Sequence, residues 1–434
     1  MTYYSLTNNS NTASFSEAVI RGLAPDRGLY FPEQTQRLSD FFLQDLANKS
    51  AVEIGFEVMQ PFVGDTIPDA PLKKIVEDTL CFDFPLVSID ENLSILELFH
   101  GPTMAFKDVG ARFMARSIGY FNEQNPKKVT VLVATSGDTG GAVASGFLGI
   151  AGTEVIILYP KGKVSHIQEL QLTTNGNNIK AVEVDGVFDD CQEMVKTAFL
   201  DEDLNKVYNL TSANSINVAR WLPQSLYFFF AYQQLLKNGF SGDLVFSVPS
   251  GNFGNICAGI VANRLGLPVH HFVASTNIND TVPRYLKTKK YAPHPSKQTI
   301  SNAMDVGNPS NFIRIQSLFD NNFDNLKQQF SSYAFDDSQT RVALKKLYDS
   351  HNYIADPHGA VGYLGLQKYM RANPNTYGIF LETAHPVKFR DTVEDILGIR
   401  LDIPEQIQRI LDKTPEKKAL KDYGAFKEYL LQRA

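Results

Sequence analysis

The sequence predicts an α/β protein built on two mainly parallel, helix-flanked sheets, with a mainly helical segment at its N-terminus. Three observations point there. Short runs rich in β-branched residues alternate with stretches of helical periodicity, and two of those runs pass directly into glycine-rich loops that open helices. The chain is also 434 residues long, more than one ordinary core accommodates. The expected domains are residues 1–95, a small domain over 96–240 whose first part, 96–128, can join its larger neighbour, and a large domain over 241–434.

Up to about residue 85 the chain reads as a separate, mainly helical segment with turns such as "APDRGLYFPE". The run "VTVLVA" (129–134) is a strand followed by a Gly loop and a helix. With "TEVIILYP" (153–160) as the next strand, it makes a βαβ unit. The pattern recurs in "NIKAVEVDG" from Asn178, a helix over 189–199, "KVYNLT" from Lys206 and a buried helix over 218–237. It resumes with "DLVFSVPS" from Asp243, a second Gly loop and helix, "VHHFVAS" from Val269, and "YGIFLETAHP" from Tyr377 before a final helical region. Strands that are apolar throughout belong in parallel sheets covered on both faces.

Composition removes several functions. The chain is 43% hydrophobic and 20% charged, and its 41 Lys and Arg against 47 Asp and Glu give a net charge of −6. That balance argues against a nucleic-acid partner but leaves room for a local basic pocket. The three cysteines are widely spaced with no C-x-x-C, so neither a disulfide scaffold nor a zinc site is expected, no metal is called for, and a reducing, cytoplasmic setting follows. The N-terminus lacks the basic and apolar regions of a signal peptide, and no stretch reaches the ~20 apolar residues of a membrane span.

In "HGPTMAFKDVGARF", Lys107 falls where a helix over 109–121 begins. A helix N-terminus carries a partial positive charge, so an ammonium there stands against the field. The same field favours a neutral amine able to attack a carbonyl. Taken alone, the segment favours the plainer alternative, a lysine reaching solvent from a helix's first turn.

The loops "ATSGDTGGAVASG" (134–146) and "VPSGNFGNICAG" (248–259) each follow a strand and open a helix, the geometry that converges N–H groups on an anion. Either could be only a tight turn. Neither has the G-x-G-x-x-G of a dinucleotide site or the G-K-[ST] of a P-loop. Two anion loops with an oddly placed lysine point to a phosphorylated carbonyl cofactor and an acidic small substrate.

Five motifs, "SFSEAVIRGLAPDRGLYFPE", "HGPTMAFKDVG", "ATSGDTGGA", "PSGNFGN" and "ETAHPVKF", occur in the order found in threonine synthases. The chain resembles that family, whose members carry pyridoxal 5′-phosphate on a tryptophan-synthase-β-like fold, fold type II of these enzymes. The resemblance implies a lyase of threonine biosynthesis that converts O-phospho-L-homoserine and water to L-threonine and phosphate, by γ-elimination of phosphate and β-addition of water. Lys107 would hold the cofactor as an imine and shuttle protons, with Phe106 and Asp108 positioning it. Ser250, Gly251, Asn252, Phe253, Gly254 and Asn255 would bind the cofactor phosphate, and Thr383 would face its pyridine nitrogen.

Ser136, Gly137, Asp138, Thr139 and Gly140 would take the substrate carboxylate. Related enzymes of the fold often place Asn where Asp138 stands, donating to the cofactor's 3′-oxygen, which an ionised aspartate cannot do. The substrate phosphate would sit among Lys163, Ser165, Gln168, Ser215, Asn217 and Arg220, whose segments resemble their family counterparts. His385 stays outside the catalytic set. The signature begins by Ser14, so no long regulatory extension precedes it, and the expected assembly is a monomer or small homo-oligomer. Rival expectations are a serine or threonine dehydratase, whose loop reads nearer S-x-G-N-H, a non-catalytic binding protein that keeps the fold, and a dinucleotide oxidoreductase, whose fingerprint is missing.

Overall fold

The computed structural model describes residues 1–124 and 128–433. Its strands are β1 (Thr2–Ser5), β2 (Thr12–Ser14), β3 (Tyr30–Pro32), β4 (Leu86–Asp90), β5 (Leu93–Glu97), β6 (Val129–Ala134), β7 (Thr153–Pro160), β8 (Ile179–Val184), β9 (Asn209–Ser212), β10 (Asp243–Pro249), β11 (His271–Thr276), β12 (Phe330–Ala334), β13 (Thr376–Glu382) and β14 (Lys417–Leu420). They form a five-stranded sheet in the order β14-β8-β7-β6-β9, parallel throughout, and a six-stranded sheet in the order β12-β11-β10-β13-β5-β4. The six-stranded sheet is parallel except for β4, which runs antiparallel to β5. Strands β6, β7, β11 and β13 are almost wholly buried because helices cover both faces.

Three features depart from expectation. The N-terminal segment holds a small antiparallel sheet, β2-β1-β3, beside its helices; strands of three or four residues are too short to show a period. Sheet membership does not follow the ranges 1–95, 96–240 and 241–434: β4 and β5 join the large sheet, and β14 returns to the edge of the small one. The helix expected over 218–237 is divided into Val218–Trp221, a 3₁₀ turn Leu222–Ser225 and Leu226–Lys237, because Pro223 has no N–H to continue the ladder.

The apolar helix Leu226–Lys237 links the two layers, its Phe228 packing edge-on against Phe246 and Phe272 of the six-stranded sheet. In each sheet the order reverses beside one strand. The chain leaves β6 toward β7 on one side with β9 on the other, and leaves β10 toward β11 with β13 opposite. Such reversals open a crevice at the carboxyl ends of parallel strands, and both glycine loops emerge there.

Candidate active site

One cavity is shared by residues that follow β6, β9, β10 and β13, so the carboxyl ends of both sheets face it. Lys107, the first residue of the helix Lys107–Gln124, enters it. The approach to the lysine is fixed by backbone pairing. The Phe106 N–H donates to the Thr383 carbonyl (2.9 Å), Ala105 bridges Ala384, and the His385 N–H donates to the Met104 carbonyl (3.0 Å). Thr383 and Lys107 are thereby presented to one cavity by one short ladder. Tyr227 donates its hydroxyl to the Phe106 carbonyl, and buried Asp108 accepts from the Thr103 N–H (2.9 Å) and hydroxyl (2.6 Å). Both contacts stiffen the turn around the lysine.

Burial lowers the Lys107 pKa to about 8; Asp138 opposes the shift, while the cations Lys388 and Arg220 add to it. Desolvation is thus the chief cause of the lowered proton affinity, ahead of any single neighbour.

The second loop presents an anion cradle. The N–H groups of Gly251, Asn252, Phe253, Gly254 and Asn255 have no hydrogen-bond partner among the described residues, and they stand at the start of the helix Gly254–Arg264. Phe253 adopts the left-handed conformation (φ 61°), unusual for a bulky residue, which turns the backbone into the helix. Gly251 lies under the turn Asn302–Met304, where a Cβ would come 2.7 Å from the Met304 Cα. Five converging donors, a lysine of reduced proton affinity and Thr383 across the same cavity fit a phosphate-bearing aldehyde. Ser250 does not share in this. It is buried, donates its hydroxyl to the Val248 carbonyl (2.8 Å) and is not part of the cavity wall.

The first loop is used differently from expectation. Ser136 and Thr139 line the cavity, but the N–H groups of Gly137 and Gly140 are taken by the Thr135 hydroxyl oxygen at 2.9 and 2.8 Å. Gly137 itself, at φ 131°, packs against the Gln168 side chain. Asp138 is turned to Lys388 Nζ (2.8 Å) and Gln168 Nε2 (2.9 Å). Burial alone would raise its pKa, but the charges of Lys388 and Lys107 hold it well below the usual carboxylate range, so it stays ionised.

Of the expected phosphate-site residues, Arg220 lines the cavity and Lys163 does not. Arg220 is buried, donates Nη1 to the Ala213 carbonyl (2.7 Å) and leaves Nε without a partner among the described residues. Ser215 joins the two halves of the wall, accepting from Asn252 Nδ2 (2.8 Å) and Asn311 Nδ2 (3.1 Å). Lys163 is exposed on the turn before the helix His166–Thr173 and Ser165 caps that helix through Gln168. Asn217 is fully buried, donating to the Val19 (2.8 Å) and Ser212 (3.1 Å) carbonyls while capping Val218–Trp221. Those three side chains are committed to solvent or to the fold. His385 caps the turn Pro386–Phe389, accepting from the Val387 N–H. Lys388 and Thr135 were not singled out by the motifs, although both lie inside quoted stretches; only their partners distant in sequence reveal them.

Comparison with known proteins agrees with this geometry. A family model described as pyridoxal-phosphate dependent enzyme matches residues 79–377, which makes the chain one of those enzymes. Models described as threonine synthase N terminus and threonine synthase, C-terminal, match residues 2–80 and 359–430. Threonine synthase of Haemophilus influenzae is 44% identical over 437 residues covering 100% of both chains. The crystal structure of threonine synthase from Escherichia coli superimposes with a TM-score of 0.94 at 41% identity over 100% of both chains. A pyridoxal-phosphate-bound threonine synthase from Brucella melitensis gives 0.91 at 33% identity, covering 100% of this chain and 99% of that one. The chain belongs to the threonine synthase family. Dehydratase and binding-protein alternatives gain no support from these full-length matches.

Proposed function

We propose that the enzyme converts O-phospho-L-homoserine and water to L-threonine and inorganic phosphate, with Lys107 as the residue that holds pyridoxal phosphate and moves protons. The observation that carries this is the place of Lys107: a lysine of lowered proton affinity between a cradle of five N–H groups without partners among the described residues and the first loop, which offers Ser136 and Thr139. When bound, the cofactor supplies an electron sink for carbanion charge on the substrate. The chain's own residues do the rest.

Gly251, Asn252, Phe253, Gly254 and Asn255 would hold the cofactor phosphate on backbone N–H groups, and Thr383, on the same cavity wall, would offer its ring a neutral hydroxyl. Ser136 and Thr139, with the N–H groups of Asp138 and Thr139 at the helix start, which have no partner among the described residues, orient the substrate carboxylate. Lys107 Nζ, whose neutral form is already half populated at about pH 8, takes a proton from the substrate carbon on its face and returns one to the product. Arg220, which lines the cavity, receives the substrate's phosphate, a dianion suited to a guanidinium group.

We also infer a cytoplasmic setting, consistent with Cys81, Cys191 and Cys257 all being unpaired, and a monomer or small homo-oligomer. Among the described residues no helix is long and apolar enough to cross a membrane. Phosphate release from O-phospho-L-homoserine, measured beside ammonia release from serine and threonine, tests the assignment. Turnover of the phosphorylated substrate alone is expected; preferential deamination of serine or threonine would replace it with the dehydratase.

A further inference from the structure

We propose that Lys388 is a positioning residue for Lys107: its buried ammonium clasps the lysine-bearing segment to the first residue of the Asp138 helix, fixing where the amine stands and keeping the Asp138 charge from drawing a proton onto it. The proposal rests on Lys107 being the cofactor lysine.

Lys388 lies in the turn Pro386–Phe389 with its side chain wholly buried, and its Nζ has two partners: Asp138 Oδ1 at 2.8 Å and the Thr103 carbonyl at 2.9 Å. The Thr103 contact is the last rung of the ladder that pairs 103–106 with 383–388. Thr103 in turn holds Asp108, the residue after Lys107. The Asp138 contact crosses to the other sheet, where Gln168 grips the same oxygen. Three segments that carry cofactor or substrate groups therefore meet on one nitrogen.

A buried ion pair is weak as a source of stability, because desolvation of both charges offsets their attraction. What such a pair supplies well is register. Here it is the register of the Lys107 turn against the first loop.

The charged and titratable groups around Lys107 set the sign of the electrostatic effect. Asp138 faces it from the first loop, Lys388 from the turn after β13 and Arg220 from the helix Val218–Trp221. Asp108, on its own helix, is turned to Thr103, and Tyr227 is bound to the Phe106 carbonyl. Asp138 favours the protonated amine while Lys388 and Arg220 disfavour it. Removing Lys388 alone withdraws one opposing cation and bares Asp138, and both changes raise the proton affinity at Lys107.

The test uses the cofactor-loaded enzyme and the variants Lys388→Met, Lys388→Arg and Lys388→Met with Asp138→Asn. The readouts are the pH midpoint of the bound cofactor's visible absorbance, kcat, KM and Tm. For Lys388→Met the midpoint should rise by about one unit, roughly a tenfold change in proton affinity, with the loss falling on kcat rather than KM. Lys388→Arg, which keeps the charge, should bring the midpoint back toward the parent. The double variant, a neutral pair without a bare charge, should regain Tm and a midpoint at or below the parent's while kcat stays low.

An unmoved midpoint in Lys388→Met would overturn the proposal, as would recovery of kcat together with Tm in the double variant, since that describes packing alone. If Lys388→Met fails to fold, the double variant's kcat and Tm decide. A visible band that survives Lys107→Ala is a different result: it removes the Lys107 assignment rather than the role of Lys388.

Discussion

Lys107 reacts as its surroundings dictate, and those surroundings make single-residue behaviour predictable. In the cofactor-free protein, modification of Lys107 by an amine-directed reagent should follow a midpoint near about 8, where an ordinary lysine stands at 10.5. The neutral, reactive form gains as pH rises through that value, and a midpoint above 10 in a pH series would show that burial does not act as described. Arg220→Ala should lose roughly tenfold or more in kcat/KM for O-phospho-L-homoserine, matching the ~1.5–3 kcal/mol of hydrogen bonds to a charged group. Cofactor loading, followed by absorbance, should be intact. Lys163→Ala, on an exposed turn, should behave as the parent in the same assay. The sequence could not separate these two cations, because a lysine beside a strand end and an arginine beside a strand end look alike until the cavity is closed around one of them. The use of the Asp138 side chain is hidden from the sequence for a related reason: its partner Lys388 lies 250 positions later, beyond any local pattern.

Among the elements, those legible in the sequence were the strands buried on both faces. β6, β7 and β10 read as predominantly apolar runs rich in β-branched residues, with helical stretches between them. Short or half-exposed elements left no such trace. β14, "KKAL", has three exposed residues of four, and β12 lies in a mixed stretch, so neither was anticipated. The two glycine loops were legible as anion sites through their strand-to-helix position, and their closeness to other backbone sets a prediction. Gly251→Val should weaken cofactor binding more than Gly254→Val: an added Cβ meets the Met304 Cα at 2.7 Å in the first case and the Ser215 Cβ at 3.2 Å in the second. Crowding of this kind costs about 1–3 kcal/mol, and fluorescence titration of the cofactor would report it. Equal affinities in the two variants would mean that the loop yields without disturbing its donors.

Over the whole molecule the chain weaves between layers, and this is what holds the site. β5 carries the chain out of the N-terminal segment into the six-stranded sheet immediately before the lysine turn, while β14 brings the C-terminus back to the five-stranded sheet. Removing residues 415–434 would strip β8 of its edge partner and expose Cys191 and its apolar neighbours, which pack with Leu420, Phe426 and Leu430. A lower Tm with a loss of solubility is expected, and an unchanged melt would show that the return strand is dispensable. Layer crossing of this sort is invisible to periodicity, which reports what each segment is and not which sheet it joins. The ordered set of five motifs conveyed the architecture as a resemblance, and the sheet assignments came only from the structure.

Everything proposed for the site depends on one covalent position. Borohydride reduction of the cofactor-loaded enzyme, followed by proteolysis and peptide mass analysis, locates it directly. The expected result is the reduced cofactor on the peptide containing "HGPTMAFKDVG", attached at Lys107, with no label elsewhere. Label on Lys388, Lys163 or any other lysine, or none on a protein that still turns over its substrate, would contradict the assignment of Lys107.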